Sequence, residues 1–562
     1  MADDATPTHT AFAKKYYTKK LFVWLEIGKL TKPGTAVCRI TTNKGGASFE
    51  LPISAKTPSL GKFQGLAQND VLYQIQTEQF AVGNSNKVAH RDSSDSLILS
   101  SQMPGGGDLE GVREHLDYLK ELGVTTLLLT PVVKNSRGGP VDWYAINPRL
   151  GSIKDYQELV AEAHRRHMKI FFDTELDRVG PEHPWVKNPP TEDLFRGKAQ
   201  RYLETSPLFG SFYGNPQALN SRDDQLEALM DPHAPTGLSR NFPVALYAGI
   251  RPDLNTENPL VAQYLLQNSI WWTQSSGLDG FFIRAIPSVS RQFWASWHGG
   301  LRRIYPYLTT IGEIYHRDPS VTSFFMGGQR RFDGIDSGVS TVLDFPLNAA
   351  INDVLQEKAS VGRLAEVLRH DALYPHSNAL VAFIGNENVP RFAGGGTPAK
   401  LKLALGLLLT MRGIPQLYFG DEIGLDNDKK GDRRSFPAGS GHDAGNAFVA
   451  AGRTAPQQEI FEYVQSLLRL HREHPALSGG QMWDLASDNF SFVFVRVTDE
   501  ERILVAFNNA GEARELSVPV ADTPVQNVAD FSLLSGSAGA YRSRNSVLIN
   551  MPAQSLSIFA LN

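Results

Sequence analysis

Carboxylates, arginines and amides gather in four short segments that each close an apolar run. FFDTELDR at 171–178 carries Asp173, Glu175, Asp177 and Arg178; GFFIRA at 280–285 carries Phe282 and Arg284. TIGEIYH at 310–316 carries Glu313, and FIGNENVPRF at 383–392 sets Glu387 between Asn386 and Asn388. A carboxylate against an aromatic wall such as Phe282 is pushed toward neutrality and can give or take a proton. Glu313 and Glu387 are therefore the candidate proton carriers. An arginine fork can grip a carboxylate or phosphate, or stabilise an oxyanion. Arg284 is the candidate for that role, with Arg178 and Arg251 as further cations. Arginines can also simply neutralise crowded acids. Side chains two apart on a strand share a face, so Asp173, Glu175 and Asp177 are expected on one side, where three unpaired carboxylates would be costly. Phe282 and Arg284 share a face by the same rule. Asn386, Asn388 and the three acids of 173–177 complete the ligand-contacting set.

These segments need a scaffold that brings strand ends together. From Val71 the chain alternates short apolar runs with amphipathic stretches such as LEGVREHLDYLKELG and KDYQELVAEAHRRH, the pattern of parallel βα units. Eight strands are predicted, starting near Val71, Thr125, Lys169, Gly280, Thr309, Thr341, Ala379 and Gln416. Eight such units predict a TIM (β/α)8 barrel, whose chemistry sits at the C-terminal strand ends; a doubly wound sheet is the alternative. Residues 180–255 are too long for an ordinary loop and read as an inserted subdomain after strand three. Residues 1–66 and 478–562 have a β-rich grammar of short runs and turn signals, predicting flanking β-sandwich domains around a barrel of 67–477.

The 562 residues are 41% hydrophobic and 20% charged, with 55 Lys plus Arg against 59 Asp plus Glu. The resulting charge of −4 argues against a nucleic-acid footprint or a polybasic membrane patch. A single cysteine, Cys38, excludes an intramolecular disulfide and a cysteine zinc cluster. No run is long and apolar enough to span a membrane, and the start has no signal-peptide core, which favours the cytoplasm. There is no P-loop, dinucleotide fingerprint or HExxH pair. His183 and His316 read as structural histidines, and Trp271, Trp272, Trp294 and Trp297 as core.

GLDGFFIRA at 277–285, TIGEIYH, FIGNENVPRF, GIPQLYFGDEIG at 413–424 and PDLNTENP at 252–259 together resemble the alpha-amylase family, glycoside hydrolase family 13. The layout resembles its neopullulanase and cyclomaltodextrinase branch over essentially the whole chain. That resemblance implies retaining hydrolysis by an aspartate nucleophile, a glutamate acid/base and a second, sugar-binding aspartate. Glu313 matches the acid/base. Arg284 stands at the nucleophile's position, Phe282 at that of an arginine, and Asn386-Glu387-Asn388 where the family reads Asn-His-Asp. Asp173 keeps the leading aspartate of a third-strand pattern whose Asn-His is here Asp177-Arg178. The resemblance also raises a homodimer and a calcium site, for which Asn84, Asn86 and Asp108 form a thin ligand set; no cofactor is otherwise expected.

A guanidinium keeps its proton and offers no lone pair, so ordinary amylase chemistry is not expected. The leading expectation is a pocket refitted for small-molecule binding or proton transfer by Glu313, Glu387 and Arg284. The alternatives are a non-catalytic carbohydrate-binding homologue and a residual α-glucan hydrolase.

Overall fold

The computed structural model describes residues 32–53, 62–83, 106–136, 139–195, 252–284, 286–330, 333–392, 396–426, 434–437 and 445–562, and the strands Ala11–Lys15 and Leu21–Leu25. Eight parallel strands form the central sheet: β1 (Leu72–Ile75), β2 (Thr126–Leu129), β3 (Lys169–Thr174), β4 (Gly280–Ile283), β5 (Thr309–Gly312), β6 (Thr341–Val342), β7 (Val381–Phe383) and β8 (Ile414–Tyr418). Their order is β6-β5-β4-β3-β2-β1-β8-β7. A parallel bridge between Leu343 and Val381 joins the two outer strands. The sheet is thus a barrel, and each strand lies within a run expected from the sequence or within two residues of it.

The barrel holds together because its strands, and Leu343 just after β6, send apolar side chains inward. Leu72, Leu128, Phe171, Phe282, Ile311, Leu343, Val381, Phe383 and Ile414 form one buried cluster. Full burial of such a side chain is worth roughly 1.5–3 kcal/mol. Gly280 opens β4 because the barrel is tight there: a Cβ would lie 2.2 Å from the Phe171 ring and 2.6 Å from the Thr309 carbonyl. Outside the barrel pack α1 (Ile153–Arg165), α2 (Pro259–Ser276), α3 (Arg291–Ile304), α4 (Pro398–Thr410) and α5 (Ala455–Glu473). Ser152 and Asp155 form a reciprocal capping box at the start of α1. Asn258 caps α2 and Gly277, at φ 79°, ends it in a left-handed conformation suited to glycine.

After β3 the chain leaves the barrel. Antiparallel bridges Arg178–Asp253 and Phe195–Leu254 stitch the two ends of the insertion together. Arg251 lies outside the described residues. At the N-terminal end, Ala11–Lys15 pairs with Leu21–Leu25, and Gly34–Thr42 with Gly45–Ile53, each as an antiparallel hairpin. At the other end a five-stranded and a three-stranded antiparallel sheet enclose their own apolar cluster, including Val495, Leu504, Val518, Ile549 and Phe559. A C-terminal sandwich of antiparallel sheets was expected from the β-rich grammar of the sequence.

Arg496 fastens that sandwich to the barrel. Its side chain is buried and donates to the carbonyls of Thr410, Met411 and Gly480, so it satisfies the end of α4. Burial lowers its pKa to about 9, with Arg412 adding repulsion. Replacing Arg496 by alanine strands those carbonyls, and each orphaned group costs about 1–3 kcal/mol. The expected loss is about 3 kcal/mol of unfolding free energy, read by urea denaturation.

Candidate functional site

Each inward position two residues beyond the apolar layer is polar on five strands. Leu72 is followed by Gln74, Phe171 by Asp173, Phe282 by Arg284, Ile311 by Glu313 and Ile414 by Gln416. The strand alternation thus lifts a polar ring onto an apolar floor, at the C-terminal mouth of the barrel.

Arg284 is the centre of this ring. Its Nε donates to Asp173 Oδ1 at 2.9 Å and Oδ2 at 3.0 Å, and its Nη2 to Asp173 Oδ2 at 2.6 Å. The same Nη2 lies 2.6 Å from Glu387 Oε1. Gln74 donates to the other Glu387 oxygen, and Gln416 donates to Gln74 at 3.3 Å. Burial alone would lower the Arg284 pKa, but Asp173, Glu387 and Glu313 outweigh it and hold the guanidinium well above its ordinary value. Burial pushes the Asp173 carboxyl up to about 7 against the pull of Arg284, and Glu387 and Glu313 add to the rise. Beside this triad, Asn388 Nδ2 donates to Glu313 Oε1 at 2.7 Å. Asn386 turns its side-chain oxygen to the amides of Asn388 and Val389 at 2.7 and 2.8 Å, so it shapes the loop that carries Glu387.

Two sequence expectations need correction. Phe282 does face inward, but it is fully buried in the apolar layer, with the Arg284 guanidinium 5.6 Å above its ring centroid. It is a floor for the arginine, not a wall for a ligand. Asp177 does not join Asp173 in the ring as expected, because β3 ends at Thr174 and alternation stops there, while Glu175 lines the cavity above it. Asp173 stays in the ring. Asp177 is buried against Arg178 at 2.5 Å, and Arg178 Nε lies 3.1 Å from Glu175 Oε1. Both arginines compensate acids, as the crowding argument requires.

A cavity of about 340 Å³ opens above the ring, lined in part by Gln76, Glu78, Glu175, Arg284, Glu387 and Asn388. Gln74, Gln76 and Glu78 were not among the sequence candidates. Their signal was present in VLYQIQTEQF, where polar residues follow Leu72 at every second position. His183 and His316 are buried and accept from the amides of Trp185 and Asp318, which is structural work. Trp272, Trp294 and Trp297 are core residues. Asp279 of the GLDG motif is buried too, accepting from the amides of Gln64 and Ile170 at 3.0 Å with His164 2.8 Å away; it braces the barrel.

For calcium, Asp108 Oδ1 accepts from Gly111 and Gly83 amides at 2.8 and 3.0 Å, while Asn84 and Asn86 lie outside the described residues. Among the described residues no three His, Cys, Asp or Glu side chains are grouped to hold a metal. No helix among them is long and apolar enough to cross a membrane.

Residues 74–475 match the family model for the alpha amylase catalytic domain. The chain is 27% identical to a cyclomaltodextrinase of Geobacillus thermopakistaniensis strain MAS1 over 468 residues, covering 81% of this chain and 71% of the relative. It is 27% identical to neopullulanase 2 of Thermoactinomyces vulgaris over 471 residues, covering 81% and 72%. Among solved structures, an alpha-amylase from Geobacillus thermoleovorans complexed with acarbose superposes with a TM-score of 0.69 at 24% identity, covering 88% of this chain and 98% of that one. The last is a likeness of fold.

The Arg284 contacts give a pH signature. In Arg284→Met, Asp173 and Glu387 lose their shared cation, and the expected cost near pH 8 is about 3–5 kcal/mol. A folded-state carboxyl raised above its unfolded value stabilises the fold at low pH and loses that contribution as pH rises through the folded value. The Asp173 carboxyl, already at about 7 with the arginine present, rises further without it. The deficit against wild type is therefore smaller at pH 5 than at pH 8 in chemical denaturation.

Proposed function

This chain belongs to the alpha-amylase family, and within it we propose a member that binds α-glucan oligosaccharides at the barrel mouth without hydrolysing them by the retaining route. The carrying observation is the Arg284 guanidinium, bound to Asp173 and Glu387 together. Retaining hydrolysis needs two carboxyl groups about 5 Å apart, one of them free to attack the anomeric carbon. By the motif resemblance, residue 284 is where the attacking carboxylate would stand. A protonated guanidinium there cannot attack, and its charge opposes an oxocarbenium-like centre. The carboxylates nearest to it are held by it.

The names of the relatives, cyclomaltodextrinase and neopullulanase, support α-glucans as the ligand class. Glu313 with Asn388 supplies acceptor and donor atoms suited to sugar hydroxyls. The proton-transfer reading now rests on Glu313 alone, because Glu387 is engaged by Arg284 and Gln74.

Titration calorimetry with maltotriose should show saturable binding, while reducing-sugar assays on maltotriose, cyclodextrin and pullulan stay at background. Glu313→Gln should weaken maltotriose binding on the order of tenfold, the scale of one hydrogen bond to a charged group, with the melting temperature unchanged. Glucan hydrolysis by the wild type that vanishes in Glu313→Gln would overturn the proposal and make the chain a working glycosidase.

A further inference from the structure

Glu78 is a carboxylate in the cavity wall that neither arginine described above neutralises. It lies in a short helix, Thr77–Phe80, directly after β1. Thr77, Gln79 and Phe80 are buried around it. Phe80 packs among the rings of Phe436 and Phe448, with centroids 5.5 and 5.2 Å away. The Phe436 amide donates to the Gln79 carbonyl at 2.8 Å and the Gly107 amide to the Glu78 carbonyl at 2.9 Å. The backbone is pinned on both sides, and the Glu78 side chain lines the cavity.

Among the described residues the charges around that cavity do not balance. Glu78, Glu175 and Glu387 line it against the single guanidinium of Arg284. Arg284 is occupied by Asp173 and Glu387, and Glu175 is beside Arg178. Among the described residues Glu78 has no ion-pair partner. Burial raises its pKa, against the pull of its own backbone amide, so the ionised form is partly desolvated and, among the described residues, has no counter-charge beside it. A neutral sugar hydroxyl offers such a group a hydrogen bond; an ammonium offers a hydrogen bond and the missing charge.

We propose that Glu78 makes this cavity selective for a saccharide carrying a protonated nitrogen over its neutral counterpart. The inference rests on the reading of the cavity as a saccharide site and specifies its ligand class. Charge-assisted hydrogen bonds are roughly twice as strong as neutral ones. The expected preference is on the order of tenfold or more, about 1.4 kcal/mol per factor of ten.

The experiment is titration calorimetry on the full chain at neutral pH with two probes. One is maltotriose; the other is maltotriose in which a primary amine replaces the 6-hydroxyl of the non-reducing unit. The amine probe should bind at least tenfold tighter. In Glu78→Gln the ratio of the two affinities should fall to near one, and Glu78→Asp should restore part of it, with melting temperatures confirming that both variants fold. Equal affinities in the wild type, or an amine preference that persists in Glu78→Gln, would overturn the assignment while leaving saccharide binding intact. Binding of the amine probe alone would support Glu78 and refute the neutral-glucan reading. Binding of neither refutes both.

Discussion

One guanidinium shared between two carboxylates organises the mouth of this barrel. Arg284 holds Asp173 bidentately and reaches Glu387 with the same Nη2, tying the ends of β3 and β4 to the loop after β7. The carboxylates cannot remain charged and close together in a buried site without such a cation. The cation cannot be buried without them. The positions of Gln74, Phe282 and Glu313 make sense around this group: one bonds the far oxygen of Glu387, one lies beneath the guanidinium, and one adds negative potential.

The barrel can support so polar a cluster because the layer below it is wholly apolar. Phe171 and Phe282 sit two residues before Asp173 and Arg284, so the strand pleat that closes the core also presents the ring. Scaffold and site are therefore separable in composition but not in geometry. The family membership follows from the whole catalytic-domain region, whereas the chemical difference we propose would reside in a few side chains at strand ends.

Much of this was legible in the sequence for simple reasons. The strand runs are short, apolar and bounded by helical stretches, so all eight could be located before their pairing was known. Charge compensation by Arg178 and Arg284 was one of the readings that the crowded acids of FFDTELDR left open. What could not be read was depth and exit. Alternation correctly turned Phe282 inward but does not say that the Arg284 layer closes over it. The chain leaves the barrel after Thr174 to pair with Asp253 and Leu254, a long-range event that removes Asp177 from the ring. Glu78 continues the two-residue polar period of VLYQIQTEQF, but that period alone does not say that the position faces a cavity.

The central claim is that the guanidinium of Arg284, at the position where the attacking carboxylate of a retaining glycosidase would stand, leaves no carboxylate placed to attack an anomeric carbon. The most direct measurement is intact-protein mass spectrometry after prolonged incubation with an activated fluorinated α-glucosyl fluoride, which leaves a glycosyl ester on a retaining nucleophile. The account predicts an unchanged mass. A stoichiometric glycosyl adduct mapped to Asp173, Glu313 or Glu387 would contradict it.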